Sequence, residues 1–301
     1  MTGPKAQIDH IVLLLSYADL QSPPPWITNH FTVTPGGVHA DGRTENKLIV
    51  FQDGTYIELI AFINDDPTRK AGHIWGNKET GLIDFALTSP ATPGGDSAAR
   101  DYAALRARIW GTDHRSPRTL GIDYFEPIEG GRTRPDGTQV RWKVTLPTYI
   151  HTGHRHRGHS PTGSVPFLCH DVTPRSLRVD PTSIISTTHP SAVKGIAQFT
   201  IIVPPSQLEE YIDMYAVILN TRPVRAMGTT RLELEAPVKV PGLVNPWVFI
   251  EPPGFDLEQQ RLSRRGVEIV EVAFREGREG GQAGVVRESI EEKGVWIHFL
   301  R

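Results

Sequence analysis

The segment TYIELIAF, residues 55–62, places one carboxylate, Glu58, among Tyr56, Ile57, Leu59, Ile60, Ala61 and Phe62. A strand this apolar is buried on both faces, and an isolated charge there is prohibitively costly. Glu58 therefore needs a cationic partner, a shared proton or a metal ion. His10, in QIDHIVLLL (7–15), is a second ionisable residue in such a setting. Side-chain alternation puts His10 on one face with Val12 and Leu14, and Glu58 on one face with Tyr56 and Ile60. If the two meet, they can act as an acid–base pair or donate to a divalent metal. The bland alternative is a core histidine and a carboxylate that neutralise each other.

Other segments offer further chemistry. Arg141 and Trp142 are neighbours in QVRWKV, so one of them faces the inner side of that strand. Arginine would bind a carboxylate or enolate oxygen bidentately, and tryptophan would stack on a ring; a surface ion pair and core packing are the plain alternatives. His39 and Asn46 flank the polar segment ADGRTE, either as turn-forming side chains or as site residues. In CHD (169–171) the cysteine and histidine point to opposite faces of a strand and cannot form a nucleophile pair. HTGHRHRGH (151–159) has four histidines without acidic or cysteine partners, which reads as a flexible loop or a lid. GREGGQAG (277–284) lacks the Gly-Lys-Ser/Thr ending of a phosphate loop and reads as a hairpin connection. No HExxH, GxSxG or GxGxxG constellation is present.

These residues need elements to hold them. QIDHIVLLL predicts a strand, SPPPWITNHF a short helix capped by Ser22, and FTVTPGGVH (31–39) a strand. NKLIVF (46–51) and TYIELIAF pair through the turn Gln52-Asp53-Gly54. The order is β-α-β-β-β. GLIDFALTS (81–89) starts it again, followed by a helix over 96–111 capped by Asp96 or Ser97 and stopped by Gly111. Strands over 123–131, 138–147 and 164–172 complete the second round. Residues 173–194 read as a linker. GIAQFTIIV (195–203) opens a third round, with a helix that a Ser206/Glu209 capping box would start. Strands TTRLELEAP and NPWVFIEPP, a short helix ending at Gly266, and strands VEIVEVAF and VWIHFL follow. The repetition of one unit is the strongest signal.

Composition narrows the function classes. A chain of 301 residues suits one large or two smaller domains. Its net charge is 32 − 34 = −2, so no global field recruits nucleic acid or an anionic membrane. No apolar run reaches the roughly 18–20 residues of a membrane span, and the opening MTGPKAQIDH lacks signal-peptide character. Cys169 is the sole cysteine, so no internal disulfide forms and a cytoplasmic location is expected.

The unit order and the stretches DHIVLL, TPGGVHADGRTENKLIVFQDGTYIELIAF, GLIDFAL and VPFLCHD resemble the glyoxalase-like domain family of the vicinal oxygen chelate superfamily. The resemblance is strongest over about residues 7–190. It implies an α+β fold in which repeated βαβββ modules pair into open half-barrels around a cavity, with helices outside. The first domain would span 1–172, with modules at about 7–64 and 81–172; residues 195–301 would form a third module and a partial fourth. The resemblance also implies metal ligands from the first and last strands of each module: His10 and Glu58, then Asp84 and His170, with Cys169 the weaker choice for the last. Gln198 takes the His10 position of module three, where no metal is expected. Such ligands suit zinc, iron, manganese or nickel. His39, Asn46 and Tyr56 would line the cavity with Arg141 or Trp142. The implied activity is that of a lyase, isomerase or dioxygenase on an oxygen-rich small molecule, with Glu58 and His10 catalytic. A metal-independent acid–base enzyme and a binding protein of the same fold stay open, as does a homodimer.

Overall fold

The computed structural model describes residues 5–91, 95–111, 120–150, 161–226, 228–276, 286–292 and 295–300. The expected hairpin connection at 277–284 and the histidine-rich segment at 151–159 lie outside them. Module one consists of β1 (Gln7–Leu14), β2 (Thr34–His39), β3 (Thr44–Val50) and β4 (Tyr56–Phe62). Two short helices, α1 (Tyr17–Gln21) and α2 (Pro25–Thr28), follow β1, and α3 (Pro67–Lys70) follows β4. Ser16 caps α1, while Pro24 starts α2 without a side-chain cap, so Ser22 does not fill the predicted role. Module two contributes β5 (Gly81–Thr88), α4 (Ser97–Trp110), β7 (Ile128–Thr133), β8 (Gln139–Thr145) and β10 (Phe167–Asp171). A side ribbon, β6 (Ile122–Tyr124) with β9 (Pro147–Tyr149), splits off from it. Asp96 caps α4 and Gly111 ends it, as the sequence predicts.

The two modules do more than form open halves. The strands run β1-β4-β3-β2-β7-β8-β10-β5 in a closed barrel. Two seams close it, each antiparallel: β1 with β5, and β2 with β7. Alternation then divides each strand. Ile8, Ile11, Leu13, Ile57, Leu59, Phe85 and Leu87 point outward into the main core, whereas Val12, Leu14, Ile60, Phe62, Ala86, Phe167 and Cys169 fill the barrel. Two glycines permit close approaches inside. A Cβ at Gly36 would lie 2.1 Å from Asn46 Oδ1, and one at Gly130 would lie 2.6 Å from Trp142 Nε1.

Residues 173–194 carry α5 (Arg175–Arg178) and α6 (Ile184–Thr187), and α5 returns two arginines to the barrel. The rest of the chain forms a seven-stranded sheet, β12-β13-β14-β11-β15-β17-β16. Its strands are β11 (Val193–Ile202), β12 (Val224–Ala226), β13 (Thr229–Glu233), β14 (Trp247–Glu251), β15 (Glu268–Glu276), β16 (Val286–Glu292) and β17 (Val295–Leu300). Helix α7 (Leu208–Leu219) follows β11, and α8 (Asp256–Arg265) precedes β15. A 3-10 turn over Pro205–Gln207 leads into α7, whose N-cap Gln207 makes no side-chain bond, so the Ser206/Glu209 box does not form. The pairing repeats that of the barrel: β11 is parallel to β14 and antiparallel to β15. One face of this sheet (Phe199, Ile201, Val272, Phe274) shares the main core with the barrel exterior.

Candidate active site

β1 and β4 bring His10 and Glu58 together, with His10 Nε2 3.6 Å from Glu58 Oε2. Both are buried, and both face a cavity of about 70 Å3 inside the barrel. His39, Asn46, Tyr56 and Trp142 also line it, together with Trp75, Val144, Phe167, Cys169, Arg132 and Arg178. Of the neighbouring pair on β8, Trp142 faces in and Arg141 is exposed. Arg132, on β7, is the guanidinium that reaches the cavity from this side of the barrel.

The hydrogen bonds assign roles. His10 Nδ1 lies 2.8 Å from Asp9 Oδ2, so Nδ1–H donates to the carboxylate and Nε2 is turned to the cavity. The ring stacks on Tyr56, with centroids 4.5 Å apart, and meets the edge of Phe167. Asn46 joins β2, β3 and β4: its Oδ1 accepts from Gly37 N and Arg132 Nη1, and its Nδ2 donates to Glu58 Oε1 at 2.6 Å. The same Nδ2 faces His39 Nε2 at 3.2 Å, while His39 Nδ1 meets Thr44 Oγ1 at 2.6 Å. Burial acts to raise the Glu58 pKa, but the hydrogen bond with His39, the charges of His10 and His39 and the Asn46 amide outweigh it and hold it at about 2. Glu58 is a carboxylate throughout the neutral range.

Asp9 is a site residue that alternation hides. Next to an inward-facing histidine it should point out, but the register with β5 slips between Ile8 and His10. A bulge re-aims the side chain at that point. Asp9 is fully buried, and Arg178 grips it through Nη1 and Nη2 at 2.7 and 3.2 Å. Arg175 adds a contact at 2.7 Å. Burial opposes the charge, yet Arg178 and then Arg175 keep the Asp9 carboxyl well below its usual range. Arg178 also binds Asp171 and donates to the Tyr56 hydroxyl at 2.6 Å. No local pattern marks these partners; α5 lies some 165 residues beyond Asp9.

Asp84 and His170 do not join His10 and Glu58. Ala86 pairs with Phe167 as His10 pairs with Tyr56, so the two positions equivalent to His10 and Glu58 are Ala86 and Cys169. His170 therefore faces outward, where Nε2 meets Asp101 Oδ2 of α4 at 2.9 Å. Asp84 sits beside a second register slip and accepts from Trp75 Nε1 and from Phe85 N. Burial raises it to about 7 against those bonds.

The donor set can now be tested against a metal. His10 and Glu58 are close enough to share an ion, because donors about 2.0–2.2 Å from one metal lie some 3–4.5 Å apart. His39 Nε2, however, approaches the other oxygen of Glu58, at 3.5 Å. The carboxylate lies between the two imidazoles instead of closing a ring of donors with them. Among the described residues, no group of three or more His, Cys, Asp and Glu is arranged to hold a metal ion. Cys169 offers no thiolate, since burial pushes its thiol up. These residues do not fit a resident divalent metal.

Larger spaces lie outside the barrel. One, about 190 Å3, is bounded by Leu13, Ile27, Phe31, Phe274 and other apolar side chains; another, about 490 Å3, runs along α4 and carries Arg100, Asp101 and Arg108; a third, about 90 Å3, lies between Lys78, Glu79 and Arg265. None of the three is lined by a histidine, as the barrel cavity is by His10 and His39.

No curated protein is significantly similar to the chain. Among solved structures, a hypothetical protein from Staphylococcus aureus is similar over 98% of both chains at 15% identity, with a TM-score of 0.62, which shows the shared fold. A mutant of 4-hydroxymandelate synthase from Streptomyces coelicolor (10% identity, 92% of this chain and 72% of that one, TM-score 0.46) is a more distant likeness. So is BphC, a halotolerant catechol dioxygenase (8% identity, 98% and 86%, TM-score 0.43). Residues 8–216 match the model of a family described as "Glyoxalase-like domain", a span that contains both barrel modules and every side chain that lines the cavity. With more than half of its length so matched, the chain belongs to the glyoxalase-like domain family.

Proposed function

We propose that the barrel cavity performs metal-independent acid–base chemistry on a small oxygen-rich molecule: proton transfer at a carbon next to a carbonyl, as isomerases and lyases require. The observation that supports this reading is the chain Asp9–His10–Glu58. Asp9 holds His10 in the tautomer whose Nε2 can accept a proton. The C–H proton passes to Nε2, and the electron pair of that bond moves onto the carbonyl oxygen to form an enolate. Glu58, a carboxylate throughout the neutral range, balances the imidazolium that forms. The Tyr56 hydroxyl accepts from Arg178, which leaves its own O–H to donate to the enolate oxygen. Trp75, Trp142 and Phe167 wall off bulk water. The dioxygenase class would call for the metal ligand set that this cavity does not assemble.

The test is hydrogen–deuterium exchange at the α-carbons of small carbonyl compounds, charged and neutral, followed by NMR in deuterium oxide with chelator-treated protein. Exchange above the blank in at least one compound is expected, and His10→Asn should slow it by about 10²–10⁴-fold. Full activity in His10→Asn, or activity that returns only with added divalent metal, would overturn the reading.

A further inference from the structure

Arg132 stands apart from the other guanidiniums of the site. Arg175 and Arg178 are paired with Asp9 and Asp171. Arg132 is 96% buried, from a relative exposure of 4%, yet no Asp or Glu among the described residues lies within ion-pair distance of it. Of its five N–H donors, two are used, by Asn46 Oδ1 and by the Arg178 carbonyl oxygen, at 3.2 and 3.1 Å. Its Nε is buried with no acceptor. Burial lowers its pKa, the sign of a cation held where water does not solvate it. An unpaired buried guanidinium is costly, so a fold that keeps one beside a cavity has a use for it.

The strands explain why it stays unpaired. Arg132 pairs with Val140, and Gly130 with Trp142, so β7 offers the cavity one long cationic side chain and one gap filled by an indole. Glu58, the carboxylate nearest in effect, is already engaged by Asn46, His10 and His39. A guanidinium with free N–H groups matches the two oxygens of a carboxylate, which it binds side-on.

We infer that Arg132 binds the carboxylate of the substrate, and that the molecule turned over in this barrel is a short 2-oxo or 2-hydroxy acid. The inference rests on the acid–base reading and supplies its substrate class. The carboxylate docks on Arg132 while the carbon that carries the exchangeable hydrogen, C3 of a 2-oxo acid or C2 of a 2-hydroxy acid, faces His10 Nε2. A cavity of about 70 Å3 admits a chain of few carbons. The aromatic wall accommodates a short alkyl end.

Acetate, pyruvate and oxalate are titrated into the full chain at constant ionic strength, with pyruvamide as a neutral counterpart of pyruvate. Binding is read from the Arg Nε–H signals in NMR and from the rise in melting temperature. At least one carboxylate should saturate the wild type, and the amide should not compete. Arg132→Lys keeps a cation and a donor to Asn46 but loses the fork, so it should fold and bind at least about tenfold more weakly. Arg132→Met should lose binding altogether. His10→Asn should keep carboxylate affinity within about threefold, because charge pairing at Arg132 does not use its Nε2. Binding in Arg132→Lys as tight as in the wild type, or no carboxylate bound by the wild type, would sink the inference. Carboxylate binding lost with Arg132→Lys but no α-carbon exchange in the wild type would leave Arg132 as the anion site and remove the acid–base reading instead.

Discussion

Glu58 and Asp84 are both buried acids in the barrel, and their surroundings drive them in opposite directions. Glu58 is held at about 2 against an ordinary 4.5, so the stability it contributes is present above pH 4.5 and is lost as pH falls toward 2. The gap corresponds to about 3 kcal/mol. Asp84 is raised from 3.8 to about 7, so its contribution is full below pH 3.8 and is lost as pH rises through 7. Glu58→Gln should flatten the acid limb of a plot of melting temperature against pH, and Asp84→Asn the descending limb between about pH 4 and 7. Unchanged limbs in the two variants would refute these assignments. Glu58→Gln should also slow α-carbon exchange by about 10–100-fold, since it removes the charge that balances His10 while keeping an acceptor for Asn46.

At the level of elements, the site depends on strand approaches and on one returning helix. Gly36→Ala would drive a methyl into Asn46, which should cost about 1–3 kcal/mol in urea unfolding and slow exchange by misplacing Glu58. Arg178→Ala leaves Asp9 buried with weaker pairing and should cost about 3–5 kcal/mol, with a smaller loss in Arg178→Lys. What the sequence discloses follows the same division. His10 and Glu58 are legible because alternation within a strand is local, and the turn at Gln52–Gly54 pairs β3 with β4. Asp84 and His170 mislead because register between strands is set by pairing and bulges, and these put Ala86 and Cys169 at the inward positions. Asp9 is hidden by the bulge that turns it. Arg178 and Arg132 are hidden because their partners are far away in sequence. The repeated β-α-β-β-β order gives the modules, but not that the first pair would close into a full barrel.

For the whole molecule, the outer faces of β1, β4 and β5 and the inner side of the second sheet form one core. Phe85 of the barrel meets Phe199 of the sheet edge-on, with centroids 4.8 Å apart. Phe199→Ala should therefore cost about 3–5 kcal/mol and lower the stability of barrel and sheet together, with tryptophan fluorescence and far-ultraviolet dichroism giving coincident transitions. Separate transitions would show two independent units. The two sheets differ in one respect that bears on solution behaviour. Among the described residues the barrel strands close into a ring, whereas the second sheet ends at β12 and β16. A free strand end is a template for strand addition and aggregation. β12 is three residues long, and Arg225 on it is tied to Glu209 of α7 at 2.5 Å. A passing strand finds too short a ladder and a charged pair there, so this border of the second sheet is protected against recruiting other chains.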